Sequence, residues 1–132
     1  MAEILIIDDH DSIREGLELL LRRRGHRTRA AESGARGLEL LEEEPADLVI
    51  TDLKMARMNG IEVLEHVKSV TPDTDVMVIS AHGTIERVVE AMKLGAADFI
   101  TKPFSSEEFA VKVDRLVDER TRRVKLKREN VA

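Results

Sequence analysis

The chain contains no cysteine, no tryptophan and no tyrosine, and only three phenylalanines. Without cysteine there are no disulfides, no thiolate metal sites and no cysteine nucleophile, which suits a reducing compartment. So few aromatic rings leave no platform on which single-stranded bases could stack. Positive charge is also short. Lys and Arg number 21 against 26 Asp and Glu, a net charge of −5 and the wrong sign for a surface built on phosphate backbones. No apolar run approaches membrane-spanning length, and the opening MAEILIID lacks the basic lead of a signal peptide. Internal repeats and low-complexity tracts are missing. So are the phosphate-binding patterns G-x-x-x-x-G-K-S/T and G-x-G-x-x-G and the hydrolase elbow G-x-S-x-G. These absences predict a cytoplasmic domain with no membrane segment and no direct nucleic-acid contact.

What is present fits one domain: 132 residues, 42% hydrophobic, with the apolar residues gathered in short runs. Four runs stand out, ILII at 4–7, LVI at 48–50, VMVI at 76–79 and FI at 99–100. They are continuous rather than alternating, as strands covered on both faces should be. Helical spacing fills the intervals: Ile13, Leu17, Leu20 and Leu21; Leu38 and Leu41; Ile61, Leu64 and Val67; Ile85, Val88, Val89 and Met92. Asp11 or Ser12 is placed to cap the first helix and Ser33 the second. Ser105 with Glu108 reads as a capping box for a fifth. The polar segment HRTRAA at 26–31 is the weakest strand candidate, and its polarity predicts an edge position. Strand and helix thus alternate five times, and right-handed crossovers give an α/β fold, a parallel sheet with helices on both faces. Near the end, RTRRVKLKR at 120–128 holds six basic residues and no acidic one. It reads as a solvated helix end or the start of a linker. Val113, Val117, Val124 and Val131 also offer a heptad seam, interrupted by Arg120 and Lys127.

Ligands of a parallel sheet bind beyond the carboxyl ends of its strands, so the residues after each run matter most. Asp8-Asp9-His10-Asp11 follow the first, Asp52 the third, Ser80 and Ala81 the fourth, Lys102 and Pro103 the fifth. Taken singly, each has a structural explanation. Together they collect carboxylates, a hydroxyl and an ammonium at one edge. Two carboxylates about 4 Å apart repel by roughly 4 kcal/mol at an effective dielectric of about 20, so a cation belongs in the cleft. Clustered carboxylates with room for water suit Mg²⁺. The acidic loop after the first strand would repel a nucleotide phosphate. His10, His26, His66 and His82 show no ligand spacing and read as surface or loop residues.

ILIIDD, ITDLKMARMNG at 50–60, VISAHG at 78–83 and ADFITKPF at 97–104 resemble, in order, the receiver domain of bacterial two-component response regulators. The likeness runs from residue 3 to about 118. It implies a flavodoxin-like five-stranded parallel sheet of order 2-1-3-4-5, with 1–118 as receiver and 119–132 as a helical extension or linker to an output domain. It implies Asp52 as phosphoacceptor and Asp8 and Asp9 as the acidic pair holding Mg²⁺, Asp9 directly and Asp8 largely through water. Asp52 and the Lys54 carbonyl complete the ligands. Ser80 matches the switch hydroxyl, Lys102 the invariant lysine and Phe99 the rotating aromatic. Pro103 matches a proline preceded by a cis bond. The donor is then a phosphohistidine on a sensor histidine kinase, and the domain is a switch rather than a turnover enzyme.

One departure stands out: Ala56 replaces the family's usual proline. Lys54 and His82 occupy the positions that face the attacking water, and are expected to tune the lifetime of the phosphorylated state. AHGTIERVVEAMKLGAADFITKPF and the closing LKREN are similar to receivers of sigma-54-dependent transcription activators, in which an ATPase and a DNA-binding domain follow. Homodimerisation through the fourth helix, fifth strand and fifth helix, or through the C-terminal helix, is implied as well. A Mg²⁺-dependent phosphohydrolase would need a second acid or base near Asp52, for which His82 is the sole candidate. A pure interaction module would not need every chemical position filled.

Overall fold

The computed structural model describes residues 2–81 and 85–129. The apolar runs are strands because each buries both faces. In β1 (Glu3–Ile7), Ile4 and Ile6 face one layer and Leu5 and Ile7 the other, all fully buried. The first layer is built by α1 (Asp11–Arg23) and α5 (Ser106–Glu129), whose Leu17, Leu21, Phe109, Val113 and Leu116 pack with Ile50, Met77 and Ile79. The second holds α2 (Gly34–Glu43), α3 (Gly60–Val70) and α4 (Ile85–Lys93), whose Leu41, Leu64, Val67 and Val88 pack with Val49, Val76 and Val78. With β2 (Arg27–Ala31), β3 (Leu48–Asp52), β4 (Asp75–Ser80) and β5 (Asp98–Thr101), the sheet is parallel throughout, in order β2-β1-β3-β4-β5. This is the α/β architecture that the resemblance implies.

The polar second strand does lie at the edge. Its Arg29 reaches across to donate to the carbonyls of Leu40 (2.6 Å) and Glu44 (2.7 Å), satisfying the open end of α2. The helix starts follow their caps. Ser33 Oγ accepts the Arg36 N–H (3.1 Å), and Ser105 Oγ that of Glu108 (3.0 Å). A full capping box, Asn59 with Glu62, opens α3 where the sequence reading had named no cap. At α1 the expected cap is corrected. Position N-cap is His10, and Asp11 lies inside the first turn, bonded to Arg14 at 2.6 Å. His10 makes no side-chain cap, and the carboxylate of Asp8 accepts the His10 N–H at 2.8 Å. Gly25 closes the helix at φ +89°, a conformation that glycine adopts without strain.

His26 lies in the loop between α1 and β2, consistent with a surface or loop residue, but its ring is only 8% exposed: Nδ1 faces the Ala2 N–H and Nε2 faces Asp114 of α5. Arg24 donates to the same Asp114 carboxylate, and that hydrogen bond holds it below its ordinary value. The contribution of this cross-link is therefore present above the normal carboxylate range and is lost as pH falls through the lowered value. The basic stretch is a solvated helix end, exposed over 121–129 apart from Val124, and it also carries ion pairs to the domain. The helix α5 continues unbroken for 24 residues, about 36 Å at 1.5 Å per residue. Arg120 pairs with Asp47 (2.8 Å), and Arg123 reaches the buried Asp75 with both contacts near 3 Å (2.9 and 3.0 Å). The last turns are thus tied to the amino ends of β3 and β4. Val113 and Val117 of the heptad seam serve the domain's own core, and Val131 lies outside the described residues.

Candidate functional site

Five parallel strands deliver their last residues to one edge, and four of them bring polar side chains together there. Asp52 ends β3 with its side chain 4% exposed. Its Oδ1 accepts the Lys54 N–H at 3.0 Å, and its Oδ2 accepts from Lys102 Nζ at 2.8 Å. Lys102 follows β5, and its own N–H bonds the Ser80 carbonyl at 2.8 Å, so the end of β4 helps to aim it. The Lys102–Pro103 peptide bond is cis. The Ser80 hydroxyl, buried at the end of β4, shares a hydrogen bond of 3.2 Å with the Thr101 hydroxyl.

Asp8, directly after β1, is fully buried. Its Oδ1 faces the His10 N–H and, at 3.2 Å, His10 Nδ1, while its Oδ2 has no hydrogen-bond partner among the described residues. Asp9 stands at the rim with Oδ1 3.1 Å from His10 Nδ1, and its Oδ2 accepts a long bond of 3.4 Å from the Ala56 N–H. A proline at position 56 could not donate that bond. The neighbouring Arg57 holds φ at +67°, a left-handed conformation unfavourable for a side chain that is not glycine. One ligand atom from each of Asp8, His10 and Asp52 lies within 4.8 Å of the others.

A buried carboxylate oxygen left unpaired beside a second carboxylate costs free energy, and this donor set fits a divalent cation bound to oxygen ligands. The same physics sets the sign of a stability test. Asp8→Asn removes the charge but keeps an oxygen for the His10 N–H. It should raise stability by about 1 kcal/mol, roughly 3–5 °C, in metal-free buffer. A thermal melt in the presence of chelator checks this; a lower midpoint contradicts the repulsion.

Asp8, Asp9, Asp52, Ser80 and Lys102 all lie at strand ends, where the sequence places them. Phe99 sits lower on β5, paired with Val78 and half-buried, with Lys112 Nζ of α5 5.1 Å from its ring centroid. His82 lies outside the described residues. Three contributors escaped notice: His10, which the reading set aside as a loop residue, Thr101, and the Ala56 N–H. His10 directly follows the acidic pair, and Thr101 directly precedes Lys102; adjacency was the available signal for both.

Residues 4–114 match the family described as response regulator receiver domain. Over 133 aligned positions the chain is 36% identical to an NtrX-like response regulator of Rickettsia bellii, covering 99% of this chain and 27% of that one. It is 35% identical to the transcriptional regulatory protein ZraR of Escherichia coli over 86% of this chain and 26% of that one. The chain thus spans about a quarter of the length of these relatives. Among solved structures, NtrX of Brucella abortus in complex with ADP superposes with a TM-score of 0.92 at 30% identity, over 99% of this chain and 30% of that one. With both sequence and backbone path shared over nearly its whole length, this chain belongs to the response regulator receiver domain family.

Proposed function

We propose that this receiver domain is a phosphorylation switch in which Asp52 accepts a phosphoryl group from the phosphohistidine of a sensor histidine kinase. The observation that carries this reading is the Lys102 Nζ–Asp52 Oδ2 contact of 2.8 Å beside the buried, unpartnered Asp8 Oδ2. In the transfer, an Asp52 carboxylate oxygen forms the new O–P bond while the N–P bond breaks, its electron pair leaving with the imidazole. Mg²⁺ held by Asp8, Asp9, Asp52 and the Lys54 carbonyl would supply charge neutralisation for two anions brought together. Lys102 passes from the carboxylate to a phosphoryl oxygen, where its ammonium offsets developing negative charge. Arrangement and electrostatics are most of what phosphoryl transfer asks for.

The new charge then biases a two-state element. Ser80 leaves Thr101 to donate to a phosphoryl oxygen, and the space it vacates admits Phe99. Lys112 donates to the Phe99 carbonyl at 2.7 Å, so movement of β5 is felt directly by α5. Residues 1–118 act as the receiver, and 119–132 lead toward an output domain in cis, transcriptional in kind and with a sigma-54-type ATPase. The half-exposed Val89 and Met92 on α4 support homodimerisation through that face. The label is lost slowly by hydrolysis, without turnover of an external substrate. Replacing Lys54 and His82 together with alanine should change the half-life of the phosphorylated state several-fold; phosphate release followed over time checks this, and an unchanged half-life refutes it.

The reading is tested by incubating the domain with Mg²⁺ and a small acyl-phosphate donor. Intact-mass spectrometry should show one added phosphoryl group, removed by hydroxylamine and absent from Asp52→Asn. Modification of Asp52→Asn to the same extent would overturn the assignment.

A further inference from the structure

We propose that His10 is a nitrogen ligand in the acidic pocket, and that it shifts the pocket's preference from Mg²⁺ toward borderline first-row cations such as Co²⁺ and Zn²⁺. The inference rests on reading this pocket as the cation site of the switch, and it adds a donor that the reading above does not contain. Three observations carry it.

The first is placement. His10 is the residue on which α1 begins, and its backbone N–H is pinned by Asp8 Oδ1 at 2.8 Å. That bond turns the ring back toward the carboxylates. Its Nδ1 stands 3.2 Å from Asp8 Oδ1 and 3.1 Å from Asp9 Oδ1. The second is the donor set. A ligand atom of His10 falls within 4.8 Å of oxygens on both Asp8 and Asp52, a span that one ion can bridge after small adjustments. The fully buried Asp8 Oδ2, with no partner among the described residues, independently marks this point as the place for a cation. The third is the position of Asp9. Its Oδ2 is engaged by the Ala56 N–H, which draws that carboxylate toward the loop after β3. The group whose ligand atoms lie within 4.8 Å of one another is accordingly Asp8, His10 and Asp52.

Ligand chemistry then decides the class of ion. Mg²⁺ is hard, prefers oxygen and gives up water reluctantly, so it gains little from an imidazole. Co²⁺ and Zn²⁺ accept nitrogen readily, Mn²⁺ less so, with affinity rising along the first-row series to copper. The ring remains 61% exposed and can swing on its χ angles without disturbing the core.

His10→Asn separates the roles, because asparagine is a favoured N-cap and the helix start is preserved. Calorimetric titration of the metal-free protein with MgCl₂ and with CoCl₂ reads the preference. His10→Asn should weaken Co²⁺ binding roughly tenfold or more beyond any loss it causes in Mg²⁺ binding. Electron spin echo of the Mn²⁺-loaded protein should show nitrogen modulation, lost in His10→Asn. Unaltered Co²⁺ affinity, an equal fall for both ions, or no nitrogen modulation in the parent overturns the inference. If Mg²⁺ still binds and Asp52 is still phosphorylated, only the ligand assignment has failed. If neither ion binds, the pocket itself has been misread.

Discussion

Lys102→Met is expected to slow phosphorylation of Asp52 by at least about 100-fold, the loss typical when one preorganised donor to developing negative charge is removed. Methionine keeps the apolar stem and deletes the ammonium. What remains at Asp52 is a carboxylate with one backbone donor, the Lys54 N–H at 3.0 Å, facing the charge of Asp8. An incoming phosphoryl group would then have the divalent cation alone to offset its charge. The native protein should suffer too, by about 1–3 kcal/mol, because a nearly buried carboxylate has lost its counter-ion. The two effects are separated by measuring labelling well below the melting transition. Lys102→Arg should not rescue the rate, since a planar guanidinium cannot take the place of a compact ammonium in this confined position. Labelling of Lys102→Met within a few-fold of the parent would remove lysine from the chemistry.

Gly60→Ala should be the most damaging methyl group that can be added near the pocket. A Cβ at Gly60 would fall 2.4 Å from the Asp52 carbonyl oxygen and 2.7 Å from Leu53 Cα. Both obstacles are backbone, so no side chain can rotate away. The Gly60 N–H bonds the Leu53 carbonyl at 3.0 Å, which fixes the start of α3 hard against the end of β3. Relief requires moving one of them, and overpacking of this kind costs about 3 kcal/mol, or roughly 10 °C in melting temperature for a domain of this size. The strain falls on the residue that carries Asp52, so labelling should fall even where the variant is folded. A melt within a degree or two of the parent would mean that the strand end yields more easily than its packing implies.

Most of the sheet was legible because burial on two faces writes itself as unbroken Ile and Val, as in ILII and VMVI. The weak strand HRTRAA was placed by the same reasoning in reverse, since an edge tolerates Arg29, which serves α2 instead. The strand-end cluster was legible because topology alone gathers it: Asp8, Asp52, Ser80 and Lys102 are far apart in sequence yet follow four successive strands of one sheet. What escaped was decided by local backbone direction. His10 looks like any loop histidine until the Asp8 carboxylate captures its N–H and its Nδ1 comes within 3.2 Å of the same oxygen. Asn59 was overlooked because its partner Glu62 follows a glycine and an isoleucine rather than a polar lead. The basic run at 120–128 reads as solvated because its partners, Asp47 and Asp75, are about 50 to 75 residues away in sequence, as the ladder of ion pairs along α5 shows. Pattern within one helix cannot report a partner on another element.

The location of the phosphoryl group tests the whole scheme most directly. Borohydride reduction of the labelled domain converts an aspartyl phosphate to homoserine, which survives digestion and marks its position in a peptide map. The account predicts homoserine at position 52 in the peptide spanning the end of β3, formed only in samples treated with both Mg²⁺ and the donor. Homoserine at position 8 or 9, or label that resists both borohydride and hydroxylamine, would contradict it.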